Sequence, residues 1–304
     1  MNSSTAELAR TITKENSLQS YYTTRLLVDK DLEDDCFRAY AYFRWVDDVI
    51  DVESESVDKR LSFIQRQKEL INRLYRDEAI DNLAEEEEIV AHLIRHDRGE
   101  NSGLQSFIRN FLAVLEFDAY RKGRVIKEDK LNWYSSCLGK SITDAIQYFI
   151  RNGHQYPEAE NRYSAATAAH ITHVLRDMRK DLADGFINIP AEYLDANGLL
   201  PGELSDDQLR AWIRLRVKLA REYFQAGKQY LDSLDILRCK IAGYWYCTRF
   251  EVILDCIERD GFTLREEYDE QRKYQTMLKM AWIGISLTFR HLVQIARLSS
   301  KSVN

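Results

Sequence analysis

Two clusters of aspartates carry the clearest chemistry in this sequence: Asp47-Asp48-Val49-Ile50-Asp51 and Asp177-Met178-Arg179-Lys180-Asp181. On a helix, residues i and i+4 project from one face a turn apart, so Asp47 with Asp51, and Asp177 with Asp181, form like-charged pairs. On a solvated face such a pair costs roughly a few tenths of a kcal/mol. Here Tyr42, Phe43, Trp45, Val46 and Ile50 flank the first pair, which implies a concave, partly buried setting where carboxylates need a counter-charge. Hard divalent cations take one or two carboxylates together with waters and substrate phosphates. Asp47, Asp48, Asp51, Asp177 and Asp181 are therefore the candidate ligands for magnesium or manganese. The first cluster alone reads more readily as a solvated acidic face. Its repetition near the end of a second apolar helix favours two acidic pairs lining one cavity and holding several metal ions against one diphosphate.

The elements that position these acids follow from periodicity. Phe37, Tyr40, Ala41, Trp45 and Val49 recur at helical spacing and predict a helix over 34–52, started by Asp34 or Asp35 as cap. Helical pattern also covers 61–75, 104–120, 130–150, 163–184, 206–233, 236–260 and 266–298. The acidic run Glu85 to Glu88 reads as a solvated helix start. Phe186-Ile187-Asn188-Ile189-Pro190 reads as a short extended segment after Gly185. The apolar run 280–296 is interrupted by Arg290, His291 and Gln294 and reads as a buried helix rather than a membrane anchor. Residues 1–14 are polar and read as a flexible arm.

Composition narrows the class. Three prolines (Pro157, Pro190, Pro201) and 12 glycines in 304 residues are too few for the turns of a many-stranded β protein. No repeat or long linker divides the chain, so residues 1–304 read as a single all-α domain. A net charge of -6 argues against nucleic acid as a partner. Five cysteines without a CxxC pair suggest neither a disulfide framework nor a zinc site, and imply a cytoplasmic protein.

Cations and arginines beside paired acids suit one reaction class. Diphosphate leaves readily once its developing charge is neutralised, and the carbocation left behind must be shielded by an apolar, aromatic cavity. The residues that serve this chemistry also carry a resemblance. Leu18-Gln19-Ser20-Tyr21-Tyr22 through Arg25, Tyr40 through Asp51, and Thr172 through Asp181 with the turn to Pro190 resemble the squalene and phytoene synthase family over about residues 17–268.

The resemblance implies a class I terpenoid synthase bundle around a central cavity. It implies a magnesium-dependent transferase that ionises an allylic isoprenyl diphosphate, farnesyl or geranylgeranyl, and couples two units head-to-head. It also marks Ser20, Tyr21, Tyr22 and Arg25 as a substrate segment and Tyr134 as a cavity residue. NADPH is left open, since no GxGxxG fingerprint occurs. An apolar product implies peripheral contact with a membrane.

Departures from the family pattern leave the fate of the cation open. Lys180 stands where the second motif has glutamate, and His170 and His173 stand where relatives have glutamine and asparagine. Leu138-Gly139-Lys140-Ser141-Ile142-Thr143 replaces a small-residue VAGxVG segment, in which glycines let substrate lie against the helix backbone. Lys180 reads either as outward-facing or as a diphosphate donor, and Lys140 as solvent-facing or phosphate-binding. His170 and His173 read as ordinary helix residues or as proton acceptors. Arg44 and Arg176 read as diphosphate clamps or as salt-bridge partners of the motif aspartates. Two other functions stay in view: a class I terpene synthase that cyclises, eliminates or hydrates one diphosphate, and a non-catalytic binding or assembly protein.

Overall fold

A computed structural model describes residues 2–53, 56–97, 99–151, 153–200 and 205–301, so Pro201 lies outside the described residues. Among those residues the chain is all helical, with no strand. In chain order the α-helices are α1 (Asn2–Asn16), α2 (Leu18–Leu27), α3 (Glu33–Asp48), α4 (Val57–Tyr75), α5 (Glu85–His96), α6 (Gly103–Arg121) and α7 (Glu128–Phe149). They continue with α8 (Ser164–Ala183), α9 (Ala191–Ala196), α10 (Asp206–Ser233), α11 (Leu237–Arg259) and α12 (Tyr274–Lys301). The backbone forms two compact units, one of Met1–Lys122 with Lys140–His154 and one of Gly123–Gly139 with Gln155–Asn304.

In the first unit α3 packs against α1, α2 and α5, and α4 packs against α5 and α6. Burial surrounds α3 on most sides: Phe37, Ala41, Tyr42, Phe43 and Val46 are all inside. Its first turn carries Glu33, Asp34 and Asp35, which complement the positive end of the helix dipole. The expected aspartate cap is not made, since Leu32 holds the cap position without a side-chain bond. Asp35 turns inward instead and binds Arg38 at 2.6 Å and His96 at 2.9 Å.

The polar N-terminus is helix α1 rather than a flexible arm, because Ala6, Ala9 and Thr13 form a buried stripe on α3. Helix α5 starts at Glu85 as expected, with Glu85 and Glu88 exposed, while Glu87 is buried and accepts from Gln67 Nε2 at 2.9 Å, Arg66 at 2.9 Å and the Ala84 amide at 3.1 Å. Tyr42 completes this internal network by donating to Gln67 Oε1 at 2.9 Å.

In the second unit α8 is the central helix, flanked by α10 and α11. Its first turns, Ser164 to Ala169, are nearly all small, so α10 closes to backbone contact: a Cβ on Gly227 would lie 2.3 Å from the Ala165 nitrogen. Helix α12 packs on α11 and does not form the buried helix expected from 280–296. Trp282, Ile285, Phe289 and Leu292 on one of its faces are exposed.

Candidate active site

The first aspartate cluster sits where helix geometry changes. The α-helical pattern of α3 ends at Asp48 and continues as a π-helical turn over Val49–Glu53. The wider turn buries Ile50 and keeps Asp51 close enough to Asp47 for mutual repulsion. Such insertions concentrate at functional sites.

Arg44, a turn upstream, donates through Nε to Asp48 Oδ2 at 3.1 Å and through Nη2 to Asp48 Oδ1. Its remaining nitrogen only grazes Asp47, at 3.4 Å. Asp47 is thus under-neutralised. Burial first, then the charges of Asp51, Asp118 and Asp48, push its pKa up to about 7 against the pull of Arg44. Asp118, on α6, is an acid that the sequence reading missed. It lies alone in the apolar stretch Phe117-Asp118-Ala119-Tyr120 and carries no motif spacing. Arg121 donates to it at 2.6 Å.

The second cluster has the opposite electrostatics. Arg176 forms a two-pronged bond to Asp177, Nε to Oδ1 and Nη2 to Oδ2, both at 2.6 Å. His173 Nε2 approaches Asp177 Oδ2 at 2.8 Å. Burial opposes the charge, yet these two partners hold Asp177 well below the usual carboxylate range. Asp181 accepts from the buried Asn188 Nδ2 at 2.7 Å. The turn beyond α8 brings Asn188 there: Gly185 adopts φ +90°, and the Phe186 amide returns to the Asp181 carbonyl. Asn188 was legible only as part of the motif's tail.

His170 is buried, with Nδ1 3.1 Å from Ser135 Oγ and its ring edge-on to Tyr134 at 4.5 Å. Phe250 lies near His173, and burial pushes the neighbouring Tyr246 phenol up to about 12, so it keeps its proton. Ser135, Tyr246 and Phe250 were not singled out in the sequence, where nothing separates them from core residues.

The remaining candidates are placed as follows. Ser20, Tyr21, Tyr22 and Arg25 all lie on α2, whose start is capped by Ser17 accepting from the Ser20 amide. Tyr21 stacks near Phe37, Tyr22 is half exposed, and Arg25 is bound to Glu33. Lys140 donates to the buried Asp144 at 3.1 Å, and Ser106 binds the same carboxylate oxygen at 2.6 Å. Lys180 is exposed, one of the two orientations its position allowed.

Gly139 serves helix packing rather than substrate approach: a Cβ there would meet Thr167 Oγ1 at 2.2 Å. Among the described residues no three His, Cys, Asp or Glu side chains form a ready metal cage. Magnesium does not require one, since it is commonly held by one or two carboxylates plus substrate phosphates. The surplus negative charge around Asp47 fits such a cation.

Residues 15–278 match the squalene/phytoene synthase family. The chain belongs to that family. Among curated relatives it is similar to 15-cis-phytoene synthase of Synechocystis sp., 27% identical over 136 residues, which span 42% of this chain and 40% of that protein. Two solved structures share the fold. The squalene synthase HpnC from Alicyclobacillus acidocaldarius has a TM-score of 0.66 at 20% identity, covering 86% of this chain and 96% of its own. A dehydrosqualene synthase in complex with ligand has a TM-score of 0.69 at 14% identity, covering 95% and 98%. The expected all-helical terpenoid-synthase fold is thereby borne out.

Proposed function

We propose that this family member is a transferase of isoprenoid biosynthesis that ionises an allylic isoprenyl diphosphate and joins two prenyl units head-to-head, with magnesium as cofactor. The supporting observation is the crowding of Asp47 by the like charges of Asp51, Asp118 and Asp48, in a chain of this family. Asp47 and Asp51 would hold magnesium at the first motif, and Asp177 and Asp181 at the second. Bound there, the metal supplies charge neutralisation for the departing diphosphate.

The protein's own groups do the rest. Arg44 already orients Asp48 and only grazes Asp47, so Asp47 would be the carboxylate that meets a cation first. Arg176 shields Asp177 as the site stands, and its planar fork suits a phosphate once that carboxylate takes another partner. Tyr246 and Phe250 present aromatic surface beside His173, of the kind that stabilises and dries a carbocation.

Purified protein given magnesium and farnesyl or geranylgeranyl diphosphate should release pyrophosphate and form a product of doubled carbon number. Parallel runs with and without NADPH would show whether a reductant is consumed. A product containing one prenyl unit would establish a class I terpene synthase instead. No turnover with either substrate would leave a binding or assembly protein.

A further inference from the structure

Helix α12 packs on α11 on the side that buries Gly284 and Leu287, and Trp245 fixes it by donating from Nε1 to the Met280 carbonyl at 2.8 Å. Its opposite face carries Leu278, Trp282, Ile285, Phe289 and Leu292, spaced by four, three, four and three residues, which is one continuous helical stripe. These side chains are 50%, 68%, 62%, 67% and 59% exposed. A contiguous apolar row of this size on a soluble fold marks an interaction surface.

Charge indicates what covers it. Tyr274–Lys301 contains no aspartate or glutamate, yet holds Lys279, Arg290, Arg297 and Lys301, in a chain whose net charge is -6. Lys279 and Arg290 are separated by 11 residues, about three turns, and so lie along one edge of the apolar stripe. The acids nearby belong to other elements: Asp255 lies 4.0 Å from Lys279, while Asp269 and Glu270 pair with Lys273 ahead of the helix. No helix among the described residues is long and apolar enough to cross a membrane.

We propose that α12 is an interfacial helix that lies flat on an anionic lipid bilayer, with Leu278, Trp282, Ile285, Phe289 and Leu292 inserted among the acyl chains and Lys279 and Arg290 at the headgroups. Apolar aromatic insertion with a basic flank is the physical signature of such helices. A second copy of the same face is disfavoured, because it brings two acid-free basic helices together.

Sedimentation of the full chain with vesicles tests this. Parent protein should pellet with phosphatidylcholine vesicles containing phosphatidylglycerol, less so with phosphatidylcholine alone, and less at high salt. Phe289→Asp should weaken partitioning about tenfold or more, whereas Leu215→Asp, at an exposed position on α10, should leave it unchanged. Circular dichroism checks that both variants are folded. Independently of any folding defect in those variants, the parent's tryptophan emission should shift to the blue on vesicle addition, and Trp282→Phe should remove most of that shift. Parent protein that stays in the supernatant would overturn the proposal, as would Phe289→Asp binding like the parent. So would a concentration-dependent dimer that Phe289→Asp dissociates, which would assign the face to a second copy.

Discussion

The two aspartate motifs look alike in sequence, each an i, i+4 pair at the end of an apolar helix, yet they carry opposite electrostatic states. In the first unit Arg44 spends its guanidinium on Asp48, and Asp47 is left among like charges with its pKa raised to about 7. In the second unit Arg176 and His173 both bind Asp177 and hold it ionised. Asp47 is crowded by like charges, whereas Asp177 already has two close partners. A divalent cation therefore relieves repulsion at the first motif but must compete with internal partners at the second.

The largest expected effect is one the two sites share. If both serve diphosphate departure, Asp47→Ala and Asp177→Ala should each lower turnover by about 100-fold or more, the scale on which removing one charge-stabilising group acts. Measured pyrophosphate release within tenfold of the parent in either variant would confine the chemistry to the other motif.

Stability should then separate the two. Asp177→Asn leaves the Arg176 guanidinium without its two-pronged partner and should cost about 1–3 kcal/mol, read as a lower denaturation midpoint. Asp47→Asn removes repulsion at a partly solvated site and should be neutral or stabilising by about a few tenths of a kcal/mol. Equal losses in the two variants would break the contrast.

Much of this was legible in the sequence, and the part that was not has physical causes. The spacing that predicts helices over 34–52 and 163–184 is confirmed in α3 and α8, because apolar periodicity survives whatever the charges do. Neither the π-helical turn after Asp48 nor the polarity of each site could be read. Arg44 is three residues from Asp47 and four from Asp48, both permitted helix-surface pairings, and only packing decides which one dominates. Asp118 joins the first site through tertiary packing, with no local spacing to announce it. For α12, periodicity gave the helix but not its environment: a chain with two apolar stripes does not reveal which one the fold will cover.

The pH dependence gives a smaller signal of opposite sign at the two sites. Asp47 in the folded protein keeps its proton to about pH 7, whereas in the unfolded chain it loses it near the ordinary carboxylate value of about 4. Between those values the folded state binds more protons, so this group makes stability fall as pH rises from about 4 to about 7. Asp177 has a depressed folded pKa and contributes stability that is present above about pH 4 and is lost as pH falls through its folded value. Melting temperatures of metal-free protein between pH 4 and 8 should therefore fall less steeply in Asp47→Asn than in the parent. Magnesium should raise the midpoint more at pH 8 than at pH 6, since binding has to displace the Asp47 proton at the lower pH. An unchanged slope in Asp47→Asn would mean that the crowding of Asp47, Asp51 and Asp118 is already screened.

The smallest effect belongs to Lys180, the residue whose charge departs most from the family's second motif. It is exposed on α8, between Arg179, which is tied to the Leu264 carbonyl and Glu266, and Asp181, which is tied to Asn188. An exposed lysine of this kind contributes little to folding, so Lys180→Ala should change stability by no more than about 0.5 kcal/mol. If its ammonium meets the diphosphate, it does so as a point charge in high dielectric, acting equally on ground state and transition state. KM should then rise several-fold with kcat nearly unchanged. A fall in kcat of the size expected for Asp177→Ala would instead make Lys180 part of the charge that the second site brings to the leaving group, and would widen its contrast with the first site, where Asp47 is crowded by like charges.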